Sequence, residues 1–227
     1  MRSTSALVVA VLTAALLEQG CSSPRYPEED ALTPGIFLEA ESRDAVPSGQ
    51  EVLQVYAKGL EVTKLSEGFR SYLYNDVAHY CTIAYGHLVR HEPCSNFEPP
   101  DNFKRGLTEP EGEALLMKDM RGAERAVQAS LTFRLTDGQF AALCDFVYNV
   151  GPTNFKTSRL LAVVNRGQFD QVPTQLRRWV RAGDREVEGL KTRRQREISL
   201  FFDGMPVPKA APAFGEDTSS VDIRTGK

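Results

Sequence analysis

The stretch from Glu67 to Leu88 constrains the fold of this chain more than any other part of its 227 residues. The apolar residues before it recur at roughly helical spacing, and Gly68, directly after Glu67, is a residue type that can end a helix. From Phe69 to Tyr85, aromatic and β-branched residues lie among polar turn residues, which is typical of short strands. The sequence therefore predicts a helix that ends at Glu67 beside a small β-hairpin sheet.

Three side chains of this stretch have a spacing that suits glycoside hydrolysis. Asp76 follows Glu67 after eight residues, and Thr82 follows Asp76 after five more. Hydrolysis with inversion needs an acid for the leaving oxygen and a carboxylate base that activates water on the opposite face of the sugar. We expect Glu67 to be the acid, and Asp76 with Thr82 to activate the water. The simpler interpretation is that Glu67 is a solvated helix-end carboxylate and Asp76 a turn residue.

The second half of the chain has the pattern of a helical lobe. Thr108 with Glu111, and Thr136 with Gln139, have capping-box spacing before apolar-periodic runs, and Gly151 stops the second run. Further helices are predicted around residues 160–164, 176–179 and 198–201. A β-hairpin lobe followed by a helical lobe is an α+β fold, and we expect the cleft between the lobes.

The chain divides into four predicted segments. Residues 1–21 contain an apolar run that is too short for a membrane span and typical of a signal peptide or membrane anchor. Residues 22–47 are acidic, contain several prolines and predict a linker. Residues 48–204 form the predicted catalytic domain, beginning with a Ser48 and Glu51 capping box. Residues 205–227 are predicted to be a disordered tail.

The fate of the N-terminus has three alternatives. Cys21 follows Gly20 and is a candidate for lipidation, as at a bacterial lipoprotein junction, although Glu18 stands where an apolar residue is expected. Ordinary cleavage and a signal-arrest-release anchor are the other two. In each case we expect an exported protein, either periplasmic or membrane-anchored and facing the cell wall. Contact with the membrane would be through this segment or its lipid only.

Cysteine and histidine residues give structural rather than metal-binding predictions. Cys81 and Cys94 are candidates for a disulfide in an exported protein, and Cys144 is predicted to be a buried free thiol. His87 is predicted to be a structural histidine of the hairpin, with a proton-carrying role as the alternative. His79, His87 and His91 lie close in sequence but lack standard zinc spacing. We therefore expect neither a metal nor a cofactor.

Charge is unevenly distributed along the chain. From Lys156 to Arg196 there are eleven Lys or Arg residues against four Asp or Glu residues. Such a basic lobe attracts polyanions, or it is simply a solvated helical surface. Export argues against nucleic acid as the partner. We expect a monomer whose partner is a wall polymer.

The stretch around Glu67 resembles the phage-type lysozymes or endolysins, which share the T-even phage lysozyme fold. The resemblance rests on Glu67-Gly68, on Asp76, and on the run from Thr82 to His87, Thr-Ile-Ala-Tyr-Gly-His. The chain departs from the family pattern at Ala84, where glycine is usual, and at His79, near a usual turn glycine. Both departures place a side chain where backbone freedom is expected, so the resemblance implies strain in the hairpin.

The resemblance extends from about Leu53 to Phe202. Residues 142–151 end in Asn-x-Gly like the central helix of the family, and residues 189–197 match its Gly-Leu-x-x-Arg-Arg-x-x-Glu signature. By position, the resemblance implies sugar subsites at Leu88, Tyr148 and Ser158, an approach of Arg193 to Glu67, and supporting roles for His87 and Asn149. A counterpart for one polar subsite residue is missing near Pro173.

The family resemblance implies a muramidase that hydrolyses the β-1,4 bond between N-acetylmuramic acid and N-acetylglucosamine of peptidoglycan. One alternative is a catalytically weakened peptidoglycan-binding protein on the same fold, for which Ala84 and His79 are the hints. A lytic transglycosylase is another alternative, but it would not require Asp76 and Thr82. Its products would carry anhydro termini, whereas a hydrolase leaves reducing ends.

Overall fold

The structure is a computed structural model that describes residues 53–76, 79–209, 212 and 217–227. The predicted signal or anchor at residues 1–21, with Cys21, and the predicted linker at residues 22–47 lie outside the described residues, as does the predicted domain start at Ser48. Within the described ranges, no helix is both long and apolar enough to cross a membrane.

The N-terminal part consists of one helix and a three-stranded sheet. Helix α1 spans Ala57–Glu67 and ends at Gly68, whose φ of 73° is in the left-handed region and whose N–H donates to the Lys64 carbonyl at 2.9 Å. Strands β1 (Arg70–Asn75), β2 (Cys81–Ala84) and β3 (His87–Arg90) form an antiparallel sheet in that order. The predicted helix end at Glu67 and the predicted short strands are confirmed.

The rest of the described chain is mainly helical. Its helices are α2 (Asp101–Lys104), α3 (Glu109–Ser130), α4 (Asp137–Val150), α5 (Pro152–Lys156), α6 (Arg159–Asn165), α7 (Val172–Arg177) and α8 (Glu188–Phe201). A two-stranded ribbon of β4 (Arg181–Ala182) and β5 (Arg185–Glu186) precedes α8, and short 3-10 turns lie at Cys94–Asn96 and Phe169–Gln171. The α+β fold class is confirmed.

Local sequence signals account for the ends of the long helices. Thr108 and Thr136 each accept a hydrogen bond from the backbone N–H three residues later, and Glu111 and Gln139 complete the two capping boxes. Gly151 ends α4 with a φ of 82°. These predicted boundaries are confirmed because each depends on contacts within one turn of helix.

Two apolar clusters divide the described chain into lobes. The larger surrounds α4, which is buried along nearly its whole length against α1, α3 and α8. The smaller joins the sheet to α2 and the start of α3 through Ile83, Ala84, Phe103, Leu107 and Leu115. Helix α3 spans both, since Leu115 belongs to the sheet lobe and Met120 to the helical lobe. Helix α3 therefore connects the two lobes.

The end of the chain differs from the prediction of a disordered tail over residues 205–227. Val221 and Asp222 are buried, at 6% and 5% exposure. The Val221 N–H donates to the Arg178 carbonyl at 2.6 Å, and the Arg181 N–H donates to the Val221 carbonyl at 3.1 Å. The prediction failed here because backbone pairing with a distant strand needs few apolar residues and leaves little trace in composition.

The basic run from Lys156 to Arg196 is also less basic at the surface than its composition suggests. Arg193 and Arg194 are buried, at 4% and 0% exposure, and Arg178 pairs with Asp217 at 2.7 Å. Pairing of this kind lowers the net field of the helical lobe. The structure thus shifts the balance toward the solvated-surface interpretation of this run.

Candidate active site

Glu67 lies where the helical lobe meets the sheet. Because α1 ends at Glu67, its side chain projects from the helix terminus, and 23% of it is exposed. Its Oε1 accepts a hydrogen bond from Arg193 Nη1 at 2.5 Å, which places Arg193 where the family resemblance implied. Gly86, in the turn between β2 and β3, passes so close that a Cβ there would be 3.4 Å from Glu67 Oε2. The carboxylate is held between the C-terminal helix and the hairpin.

Arg193 is in turn fixed from behind by a second carboxylate. Its Nε and Nη2 donate to the two oxygens of Asp145 at 3.0 and 2.9 Å, and Asp145 is fully buried in α4. A bidentate pair of this kind fixes the plane of the guanidinium group. Burial alone would raise the pKa of Asp145, yet the pKa is lowered on balance because the Arg193 charge favours the ionised form.

Asp76 and Thr82 share one backbone acceptor. The carbonyl oxygen of Tyr80 accepts the Asp76 N–H at 2.9 Å and the Thr82 hydroxyl at 3.1 Å. Asp76 Oδ1 also accepts the Tyr80 N–H at 2.9 Å. Asp76 therefore stabilises the turn, as its simpler interpretation predicts, and also shares an acceptor with Thr82. The turn therefore brings the predicted base and the predicted water-holding hydroxyl to one end of the sheet.

The two departures from the family pattern adopt the backbone conformation expected of glycine. His79 and Ala84 have φ angles of 63° and 57°, and they are the non-glycine residues of the described chain with positive φ. Histidine tolerates this region better than most residues, and His79 is exposed at the turn. Ala84 is fully buried, and its methyl group packs in the apolar cluster of the sheet lobe.

His87 has a buried partner outside the hairpin. Its Nδ1 lies 2.8 Å from Asp119 Oδ2 on α3, and the histidine is only 2% exposed. This contact ties β3 to the long helix that connects the lobes. The geometry favours the predicted structural role, although the partner is a helix rather than the hairpin itself.

The predicted subsite residues have different surroundings. Leu88 is half-buried on β3, where it pairs with Thr82. The Tyr148 hydroxyl donates to the Tyr85 carbonyl at 3.3 Å, next to the turn that faces Glu67. Ser158 is only 9% exposed, and its hydroxyl caps α6 by accepting the Leu161 N–H at 3.1 Å while donating to a backbone carbonyl. The structure therefore favours Leu88 and Tyr148 over Ser158 as surfaces for a sugar.

Asn149 faces the second arginine of the C-terminal helix. Its Oδ1 accepts a hydrogen bond from Arg194 Nη2, and the guanidinium of Arg194 lies 5.0 Å from the centre of the Phe146 ring. Asn149 thus supports the buried arginine pair rather than Glu67 directly.

A disulfide closes the end of the sheet nearest Asp76. Cys81 and Cys94 are joined, and the Cys94 N–H donates to Asn75 Oδ1 at 2.9 Å. Cys81 directly precedes Thr82, and Asn75 directly precedes Asp76, so the linkage and the hydrogen bond brace both predicted water-activating residues. Cys144 is a buried free thiol, as predicted.

Two carboxylates of this region were not predicted as site residues. Asp145 lies within the motif of residues 142–151, and Asp119 lies outside the sequence motifs. The available signal was a carboxylate on the apolar face of a long helix, since such a residue is almost always paired when buried. The partner's identity, however, depends on how distant helices pack.

The site lies within a region that is similar to known proteins. Residues 64–197 match the family described as Phage lysozyme. A SAR-endolysin of Bacteriophage PS119 is 37% identical over 137 residues, which cover 60% of this chain and 77% of that relative. An endolysin of Bacillus phage B103 is 32% identical over 155 residues, and the match covers 67% of this chain but only 55% of that relative.

Solved structures give the same picture of the fold. A P22 lysozyme structure superposes with a TM-score of 0.57 at 26% sequence identity, covering 66% of this chain and 98% of the P22 chain. Nearly the whole of that lysozyme therefore has a counterpart in the two lobes described above.

Proposed function

Because this chain belongs to the phage lysozyme family of peptidoglycan-degrading muramidases, we propose that it hydrolyses the β-1,4 bond between N-acetylmuramic acid and N-acetylglucosamine by inversion, with Glu67 as the general acid. One observation carries the assignment of roles. Glu67 is held at a helix end by buried Arg193 and faces the hairpin that gathers Asp76 and Thr82 on a single carbonyl.

Activation of water is assigned to Asp76 and Thr82. The Thr82 hydroxyl donates its own proton to the Tyr80 carbonyl, so its lone pairs are what it offers to a water molecule. The Asp76 carboxylate would then take the second proton of that water as it attacks the sugar. Inversion requires the acid and base carboxyl groups to lie about 6.5 to 9.5 Å apart, which leaves room for this water.

Substrate binding changes the surroundings of Glu67 in this proposal. In the free enzyme its side chain is 23% exposed and accepts a hydrogen bond from Arg193 Nη1. A sugar chain in the cleft removes water from the carboxyl group, and a carboxyl group that carries a proton can protonate the leaving oxygen.

The first experiment measures loss of turbidity of Gram-negative peptidoglycan, followed by mass analysis of the fragments. Glu67→Gln is expected to lower the rate by about 10²- to 10⁴-fold, the usual contribution of a general acid. Glu61→Gln is the matched control, since Glu61 lies on the same helix and its side chain is 58% exposed. Thr82→Val keeps the shape of the side chain but loses the hydroxyl, and we expect it to slow the reaction. Thr82→Ser keeps the hydroxyl, and we expect it to retain the activity.

The products decide between the proposed activity and its alternatives. Fragments with reducing ends support hydrolysis, whereas anhydro termini would assign the chain as a lytic transglycosylase. Retained clearing by Glu67→Gln would refute the role of Glu67. Binding to the wall without any clearing by the unmodified protein would support a peptidoglycan-binding protein instead.

The positive φ of Ala84 is the observation that bears on the non-catalytic alternative. A left-handed conformation costs an alanine about 1 to 2 kcal/mol. Glycine at this position would lose about 0.8 kcal/mol of methyl burial and about 0.5 to 1 kcal/mol of chain entropy. These terms nearly cancel, so Ala84→Gly is expected to change neither stability nor clearing much. A large gain in clearing by Ala84→Gly would favour the weakened protein.

We infer that the protein acts outside the cytoplasm, in the periplasm or anchored to the membrane and facing the wall. The apolar run before Cys21, the disulfide of the sheet lobe and the similarity to a SAR-endolysin support this inference. Fractionation of cells that express the full chain should find it outside the cytoplasm. Radiolabelled lipid on the chain, lost in Cys21→Ser, would distinguish lipidation from a peptide anchor or ordinary cleavage.

A further inference from the structure

Strand β1 carries an arginine that has no role in the mechanism above. Arg70 is exposed, and its guanidinium lies over the ring of Tyr74, with 4.6 Å between its Cζ and the ring centre. A cation stacked on an aromatic ring is restrained without the use of its N–H donors. Arg70 therefore offers a guanidinium group that is held in place by Tyr74 and accessible to a ligand.

The charge of Arg70 also has no counter-ion in the described part of the chain. The other arginine and lysine residues between residues 70 and 107 each pair with a carboxylate: Arg90 with Glu92, Lys104 with Asp101, and Arg105 with Glu111. Glu67, three residues before Arg70, bonds to Arg193 instead. Among the basic groups of the sheet lobe, Arg70 is thus the one that is left for an external anion.

Backbone pairing places Arg70 on the face of the sheet that carries the proposed reaction. Tyr74 and Leu88 are both cross-strand partners of Thr82, so the three side chains form a row on one face. Ile83, which follows Thr82, points to the opposite face and is fully buried in the apolar cluster of the sheet lobe. Because Arg70 stacks on Tyr74, its charge lies at the β1 end of this row.

The proposed substrate carries the anion that such a group would recognise. N-acetylmuramic acid differs from N-acetylglucosamine by a lactyl arm, which ends in a carboxylate or bears a peptide with free carboxylates. A guanidinium group binds a carboxylate through two parallel hydrogen bonds, which fix direction as well as charge. Polymers of N-acetylglucosamine alone offer no such group.

We propose that Arg70, stacked on Tyr74, forms a subsite for a carboxylate on the lactyl arm of N-acetylmuramic acid. The subsite binds and orients the substrate beside Thr82 and Leu88, and it takes no part in proton transfer. This inference rests on the proposed muramidase function and adds the part of the wall polymer that the sheet lobe recognises. The carboxylate belongs either to the lactyl group itself or to the peptide attached to it.

The test compares the KM of the full chain with that of Arg70→Gln on soluble peptidoglycan strands. Each protein is assayed on untreated strands and on strands whose carboxylates have been converted to neutral amides with a carbodiimide and glycinamide. On untreated strands, Arg70→Gln is expected to raise KM about fivefold to tenfold with little change in kcat, because one charge-assisted pair is lost. On amidated strands the two proteins should have equal KM values. No rise in KM on untreated strands, or the same rise on both substrates, would overturn the proposal.

Arg90→Gln is the matched control. Arg90 also stacks on a ring, with its Cζ 4.5 Å from the centre of Phe97, but its charge is paired with Glu92. Its removal should leave KM unchanged on both substrates. Arg70→Lys keeps the charge without the planar fork, and we expect it to recover only part of the lost affinity. A comparable rise in KM for Arg90→Gln would indicate a general effect of surface charge and would refute the subsite.

Strands treated with an amidase distinguish the two sources of the carboxylate. They lose the peptide and keep the lactyl carboxylate. If the KM ratio of Arg70→Gln to wild type stays high on these strands, Arg70 binds the lactyl group. A ratio that falls to one on these strands, while it is high on untreated ones, assigns Arg70 to the peptide.

Failure of this subsite can be told apart from failure of the proposed mechanism. The KM ratio needs only that the protein cleaves, so full activity of Glu67→Gln would refute the acid and leave the test of Arg70 intact. If the unmodified protein binds the wall without cleaving it, co-sedimentation with untreated and amidated peptidoglycan replaces the kinetic assay. Arg70→Gln should then bind the untreated wall about fivefold to tenfold more weakly and the amidated wall equally well. Equal binding of both proteins to the untreated wall would overturn the subsite.

Discussion

At the scale of single residues, Arg193 shows how one buried cation serves two carboxylates with different tasks. Asp145, fully buried, holds one edge of the guanidinium, while the partly exposed Glu67 is bonded to its remaining Nη1. A carboxylate that stays ionised and rigid thereby positions one that must change its protonation state. Arg193→Lys would not hold Asp145 and Glu67 at the same time, since an ammonium group lacks the planar fork that reaches both carboxylates.

Glu124 illustrates a titration that is separate from the site. Burial raises the pKa of Glu124 to about 7, against the favourable hydrogen bond from the Val55 N–H. Since the folded pKa is higher than the unfolded one, the stabilising contribution is complete below about pH 4 and declines as pH rises toward 7. Between about pH 4 and pH 7.5 this titration lowers the free energy of unfolding of the wild type by about 3 kcal/mol. We expect the Glu124→Gln variant to lack this loss.

Urea unfolding of the Glu124→Gln variant at pH 4.5 and pH 7.5 provides the measurement. The variant should gain stability relative to wild type at the higher pH and little at the lower. Parallel pH dependences for the two proteins would contradict a proton on Glu124.

At the scale of the elements, the hairpin depends on a covalent brace. The disulfide between Cys81 and Cys94 spans a sequence separation of 13 and lies beside the β1 and β2 ends that carry Asp76 and Thr82. Closing a loop of about this length contributes about 3 kcal/mol in the chain-entropy view. Reduction, or Cys94→Ser, is therefore expected to lower the free energy of unfolding by about that amount and to reduce clearing.

Chemical denaturation with and without a phosphine reductant checks this expectation. Cys94→Ser is the control, because its stability should not respond to the reductant. An unchanged unfolding midpoint in reductant would show that the disulfide is dispensable for stability.

The buried thiol of Cys144 is expected to remain unreactive toward thiol reagents in the folded protein, since burial raises its pKa well above the ordinary value.

At the scale of the whole molecule, the C-terminal residues extend the fold beyond residue 197, where the match to the phage lysozyme family ends. Val221 to Ile223 pair with the backbone of Arg178 and Arg181, and Asp222 accepts the Gly183 N–H at 2.8 Å. The last residues also approach Trp179, the single tryptophan of the chain.

Removal of residues 217–227 is expected to destabilise the protein by about 2 kcal/mol, the value of burying one valine-sized side chain. The fluorescence of Trp179 should shift to longer wavelength because its cover is lost. Val221→Ala is the milder companion variant, with a smaller loss of stability and no shift. Unaltered stability and emission in the truncated protein would mean that the tail contributes nothing to the fold.

The sequence by itself determined those features that depend on neighbours along the chain. The helix that ends at Glu67, the strands that follow it and both capping boxes were predicted because glycine, turn residues and caps act within a few positions. The α+β order of lobes followed from the same local patterns. Family resemblance added the approach of Arg193 to Glu67, which local physics alone could not supply.

Only the tertiary structure decided which distant groups meet. Glu67 and Arg193 are separated by 126 positions and Asp145 and Arg193 by 48, and the C-terminal residues pair with a strand about 40 positions earlier. The pairing of the last residues of the chain was not predicted for the same reason. A hydroxyl, a carboxylate or a backbone edge can satisfy several partners equally well, and the packing of helices selects among them.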